Sequence, residues 1–86
     1  MMTKSIVLTA PNGLHARPVG ELVKLAKTLD GKVMLSNGVK TVAATSMLGV
    51  LSLGLKSGSE IVLTSEGGSE AANLEAVAQF IADIKE

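Results

Sequence analysis

Residues 5–18 read Ser5-Ile6-Val7-Leu8-Thr9-Ala10-Pro11-Asn12-Gly13-Leu14-His15-Ala16-Arg17-Pro18, and the change of pattern inside this stretch decides the fold. Ser5 to Thr9 is a β-branched run that reads as a strand, and Ala10-Pro11-Asn12-Gly13 is a turn signal that stops it. Beyond it Val19, Leu22, Val23, Ala26 and Leu29 recur at helical spacing, which predicts an amphipathic helix from Ala16 to about Leu29. Pro18 fits the first turn of that helix, where its missing N–H would have had no helical partner. Asp30-Gly31 ends it. His15 therefore stands at the helix start, where backbone N–H groups and the positive end of the helix dipole favour an anion.

The rest of the chain continues the alternation. Lys32 to Ser36, Asn37-Gly38, and Val39 to Ala43 read as a β-hairpin with a type I′ turn. Thr45 or Ser46 can cap a short helix over Met47 to Leu53, and Gly54 can end it. Glu60 to Thr64 is a fourth strand. Ser69 is the expected N-cap of a last helix running to the C-terminus, with Glu70 in its first turn and Ala71, Leu74, Val77, Ala78, Ile81 and Ile84 as its buried stripe. The order βαββαβα, with one hairpin and helical crossovers, implies one mixed-order sheet covered by helices on a single face.

Composition narrows the function. Eighty-six residues are expected to form one domain, residues 1–86. Apolar residues make up 47% but Phe80 is the only aromatic, so the core must be aliphatic. Without cysteine, and with one histidine, neither a disulfide nor a metal site is expected. Neither a signal peptide nor a membrane-spanning run is evident, so the expected location is the cytoplasm. Net charge is zero, yet the first half carries Lys4, Arg17, Lys24, Lys27, Lys32 and Lys40 against Glu21 and Asp30, and the second half is acidic. Arg17, Lys24 and Lys27 can form a basic surface for an acidic partner. The lack of a basic excess and of stacking aromatics argues against nucleic acid.

A neutral imidazole is nucleophilic and can take a phosphoryl group on one nitrogen. The N–H groups of Ala16 and Arg17, and the Arg17 guanidinium, are placed to bind its oxygens. The sequence has no nucleotide-binding Gly-rich loop and no paired carboxylates for a metal. Such a chain can accept and pass on a phosphoryl group, but not generate one, and no cofactor is implied. That is a carrier rather than an enzyme.

Gly13-Leu14-His15-Ala16-Arg17-Pro18 resembles the signature of the HPr family, the histidine-containing phosphocarriers of the bacterial sugar phosphotransferase system. Length, element order and the Asn37-Gly38 hairpin extend the likeness over nearly the whole chain. The resemblance implies an α+β open-faced β-sandwich, a four-stranded antiparallel sheet in the order 1-4-2-3 with helices on one face. It implies phosphorylation of His15 on Nδ1 by phosphorylated enzyme I, stabilisation by Arg17, and transfer to the IIA domains of sugar permeases.

A second likeness runs from Ser46 to Gly54. On residue type Ser46 is a helix N-cap; the resemblance makes it a regulatory site for an HPr kinase/phosphorylase, read by a catabolite-control regulator. Some Gram-positive members carry Lys and Met where this chain has Thr45, Leu48 and Leu51. Val50, Leu53 and Leu55 are expected in the core. Met47 and Leu48 are expected to be exposed and, with Leu51, Lys24 and Lys27, to form a docking surface for successive partners. Such a carrier is best served as a monomer. A different class, an HPr-like regulatory module in nitrogen-related or catabolite control, would act through binding with phosphorylation as the switch.

Overall fold

The computed structural model describes residues 1–84. The elements are β1 (Met2–Val7), α1 (Ala16–Lys27), β2 (Lys32–Ser36), β3 (Thr41–Ala43), α2 (Met47–Ser52), β4 (Glu60–Glu66) and α3 (Glu70–Ala82). The strands form one antiparallel sheet in the order β1-β4-β2-β3. This is the expected βαββαβα open-faced sandwich.

Strand alternation decides which face is covered. Val33 and Leu35 of β2, and Ile61, Leu63 and Ser65 of β4, are buried, while the residues between them are half-exposed. The covering layer brings Val19, Leu22 and Ala26 from α1, Val50 from α2, and Leu74, Val77, Ala78 and Ile81 from α3. Leu35 lies opposite Leu63, and Ile6 opposite Ile61, so the apolar rows run in register across the sheet. Each fully buried leucine or isoleucine stabilises the fold by about 1.5–3 kcal/mol relative to exposure.

β1 lies earlier than Ser5 to Thr9. Thr3 and Lys4 pair with Thr64 and Leu63, and β4 extends past Thr64 to Glu66, which gives Met2 a partner at Ser65. Leu8 remains tied down beyond the strand: its N–H donates to the Ser59 carbonyl (2.8 Å) and its carbonyl accepts from Gly58 (2.7 Å). α1 begins at Ala16 as expected but stops at Lys27, because the Thr28 hydroxyl donates to the Leu25 carbonyl (2.7 Å) and Thr28 closes the last turn.

The hairpin turn is not type I′, which needs positive φ at both central residues. Only Gly38 has it, at +92°. Ser36 pairs with Thr41, so residues 37–40 form the loop and β3 starts at Thr41 rather than Val39. The Asn37 side chain accounts for this, its Oδ1 accepting from the N–H groups of Val39 (3.0 Å) and Lys40 (2.9 Å).

The start of α3 also differs. Ser69 occupies the N-cap position but makes no side-chain cap. Its N–H donates to Asp30 Oδ1 and its hydroxyl to Asp30 Oδ2, both at 3.0 Å, and Asn73 Nδ2 donates to Asp30 Oδ1 at 2.8 Å. Asp30, expected only to end α1, thus anchors the start of α3. Asn73 is buried by this bond, whereas Ala71, expected in the buried stripe, is exposed. The last helix ends at Ala82, with Asp83 as its C-cap; Lys85 and Glu86 lie outside the described residues.

Hydrogen bonds from Asn73 and then Ser69 hold the Asp30 carboxyl below its ordinary value of 3.8. A lowered folded-state pKa stabilises the fold above the unfolded value, and that gain is lost as the pH falls through the lowered one. Asp30→Asn is therefore expected to be less stable than wild type at pH 7. The gap should close below about pH 3.8, as measured by urea unfolding across pH. A gap of constant size would contradict the assignment.

Candidate functional site

The loop before α1 is held from below. Gly13 has φ +69°, a left-handed conformation that side chains strain to adopt. A Cβ there would also lie 2.5 Å from the Leu55 carbonyl oxygen. That carbonyl accepts a hydrogen bond from the N–H of Leu14 (3.1 Å), and the Leu14 side chain is buried. The segment after α2 is thus a shelf that sets the approach to His15.

His15 follows in extended conformation (φ −104°, ψ 179°) at the N-cap of α1. Its carbonyl accepts from the N–H of Val19 (3.1 Å), and its side chain makes no cap bond. Pro18 is buried in the first turn and has no N–H, so the helix-start donors beside the imidazole belong to Ala16 and Arg17. The ring is half-buried. Nε2 is turned inward, buried and without a hydrogen bond, which leaves Nδ1 as the nitrogen open to a partner. Ala16 and Arg17 are exposed beside it. Among the described residues no cluster of side chains could hold a metal ion.

Ser46 is the N-cap of α2 (φ −105°, ψ 104°), and Thr45 is not. Its Oγ accepts from the N–H of Gly49 at 3.2 Å while the hydroxyl stays exposed. Ser46→Ala is expected to cost about 1 kcal/mol in urea unfolding. Ser46→Asp, which supplies another capping oxygen at the helix start, should recover most of that. Equal stability of wild type and Ser46→Ala would show the cap to be idle.

The expected docking residues separate into two groups. Leu48 is 84% exposed and Met47 39% exposed, whereas Leu51 is half-buried against the core. Val50, Leu53 and Leu55 are in the core, as expected. Lys24 and Lys27 are exposed in the last turn of α1. At 1.5 Å per residue they lie about 14 and 18 Å along the axis from His15. With Arg17 they form a stripe running away from the histidine rather than a ring around it. α1 and α2 pack side by side, so the stripe borders Met47.

Sequence reasoning missed the ties that fix the far end of α2. Asn37 Nδ2 donates to the Leu53 carbonyl (3.2 Å) and Lys40 Nζ to Ser52 Oγ (2.8 Å). A cation at a helix C-terminus suits the dipole. A lysine at the hairpin tip was the available signal, but its partner could be named only from the packing.

No helix among the described residues is long and apolar enough to cross a membrane. Residues 2–83 match the family model described as the PTS HPr component phosphorylation site. The chain is 33% identical over 85 residues to the phosphocarrier protein HPr of Buchnera aphidicola subsp. Acyrthosiphon pisum, covering 99% of this chain and all of that one. The crystal structure of HPr from Thermoanaerobacter tengcongensis superposes with a TM-score of 0.89 at 30% identity, over 95% of this chain and 92% of that one. Crh, the Bacillus subtilis catabolite repression protein solved as a domain-swapped dimer, superposes at 0.77 with 29% identity, over 100% and 99% of the two chains. A match that takes in the His15 loop, all four strands and all three helices shows that the chain belongs to the HPr family, the phosphocarriers of the phosphotransferase system.

Proposed function

We propose that the protein carries a phosphoryl group on His15 Nδ1, taken from phosphorylated enzyme I and handed to the IIA domains of sugar permeases. The observation that supports this most is the half-buried imidazole at the start of α1, with Nε2 turned inward and Nδ1 open. The Nδ1 lone pair attacks phosphorus as the donor's own bond to phosphorus breaks. Nδ1–P forms, and the donor group leaves with the electron pair of its broken bond. Transfer onward is the same exchange with His15 as leaving group. The N–H groups of Ala16 and Arg17 and the guanidinium of Arg17 bind the phosphoryl oxygens, where the helix dipole favours negative charge.

In this reading the protein is a cytoplasmic monomer with no catalytic machinery of its own. Met47, Leu48 and Leu51 with Lys24 and Lys27 receive its partners. Ser46 is a second switch: a phosphate added there by an HPr kinase/phosphorylase sits at the start of α2, leaves the fold in place, and changes the charge met by partners such as a catabolite-control regulator.

Incubation with phosphoenolpyruvate and enzyme I tests the reading. The expected product is a chain carrying one acid-labile, alkali-stable phosphoryl group, as a phosphoramidate is. The likeness to Crh favours a second reading, a regulatory module in which Ser46 carries the signal. That reading gains if enzyme I leaves the protein unmodified while an HPr kinase with ATP phosphorylates Ser46.

A further inference from the structure

A cleft of about 320 Å³ opens where the β2–β3 hairpin, the segment after α2 and the first residues of β4 meet. Asn37 and Gly38 form one wall, Leu53 to Leu55 a second, and Ser59, Glu60 and Val62 the third. Hydrogen bonds brace these walls. Asn37 Nδ2 donates to the Leu53 carbonyl, its Oδ1 accepts from the N–H groups of Val39 and Lys40, and Ser59 Oγ accepts from that of Lys56 (3.0 Å). The cleft is therefore formed before any ligand arrives, as small-molecule sites usually are.

Its chemistry is polar and of one sign. Glu60 is the only charged side chain in it, and among the described residues no cation pairs with that carboxylate. Lys40 lies at the hairpin tip, but its ammonium donates to Ser52 Oγ, and neither it nor Lys56 faces the cleft. At Gly38 and Gly54 nothing lies within 4 Å of a Cβ position, so a ligand can come close to bare peptide groups there. Val62, half-buried on the uncovered face of the sheet, adds a small apolar patch.

A single carboxylate does not make a metal site, and among the described residues no group of three ligating side chains exists. The complement to Glu60 is an organic cation. Hydroxyl and peptide groups around it call for further hydrogen-bonding groups on the ligand. The volume lies at the lower end for small-molecule sites, which sets a compact size.

We propose that this cleft binds a small hydroxylated ammonium compound, of amino-sugar size, with Glu60 pairing the ammonium. The Leu55 carbonyl holds the Leu14 N–H, so the bound molecule touches the segment on which the His15 loop rests. The site is separate from the imidazole and does not depend on phosphoryl transfer.

The test is a proton–nitrogen NMR titration of the full, unphosphorylated chain with D-glucosamine and with D-glucose, which differ by an ammonium in place of one hydroxyl. In mildly acidic buffer, glucosamine should shift the amide resonances of Gly38, Gly54 and Glu60 saturably, with Kd on the order of 1 mM. Glucose should bind at least about 3-fold more weakly. Glu60→Gln should abolish that preference. Val62→Phe, which narrows the cleft, should weaken both sugars, and the spectrum away from the cleft shows that each variant is folded. Equal binding of the two sugars, or a preference that survives in Glu60→Gln, overturns the assignment. So does the absence of saturable shifts at the cleft, or their spread to Glu66 and Glu75 alike. Phosphoryl uptake at His15 is measured separately, and its failure would leave the cleft standing.

Discussion

His15→Ala is expected to lose phosphoryl uptake from enzyme I, falling at least about 1,000-fold, while the protein stays folded. No other side chain at the start of α1 offers an equivalent nucleophile, because Ala16 and Pro18 have none and the Arg17 guanidinium carries hydrogen-bond donors only. Stability should not fall with activity. Nε2 is buried without a hydrogen bond, and leaving such a group unsatisfied costs about 1–3 kcal/mol. Removing the ring removes that cost together with its packing, so urea unfolding should change by less than about 1 kcal/mol. Loss of uptake with a large loss of stability would mean that His15 acts through the fold.

Gly13→Ala is expected to show the opposite pattern, a large loss of stability. The left-handed backbone at φ +69° costs a side chain about 1–2 kcal/mol. The Cβ would also crowd the Leu55 carbonyl at 2.5 Å and the Lys56 Cα at 3.0 Å. Backbone cannot rotate away as a side chain can, and overpacking of this kind costs about 1–3 kcal/mol. The sum, about 2–5 kcal/mol, should lower Tm by at least about 8 °C. Gly54→Ala separates the two causes, since Gly54 has φ +61° with nothing near its Cβ position. It should show only the backbone part. Equal losses in the two variants would mean that the shelf under the His15 loop yields at no cost.

How much of this was legible depended on whether each partner lay nearby in the chain. The start of α1 was readable at Ala16 because Pro18 fixes it locally, and β2 was readable at both ends because Asp30-Gly31 and Asn37-Gly38 bound it. The hairpin turn was misread because Asn37-Gly38 signals a reversal but not that the Asn37 side chain will occupy two N–H groups. At α3, Asn73 is buried where Ala71 was expected to be, because the carboxylate that Asn73 bonds comes from Asp30, forty-three residues earlier. Composition carries no trace of such a pairing.

The site divided in the same way. His15, Arg17 and Ser46 stood in local motifs, and their positions at the starts of α1 and α2 were readable from capping and proline rules. The Leu55 carbonyl beneath Gly13 was not, because it is a backbone atom supplied by a distant loop.

The central claim is that Nδ1 of His15 is the atom that bonds to phosphorus. The most direct measurement is a long-range proton–nitrogen NMR spectrum of histidine-labelled protein, recorded with phosphoenolpyruvate and enzyme I. With Nε2 buried and Nδ1 open, the expected result is phosphorus coupling and a shifted resonance at Nδ1 alone. Coupling at Nε2, or a histidine spectrum unchanged by phosphorylation, would contradict it.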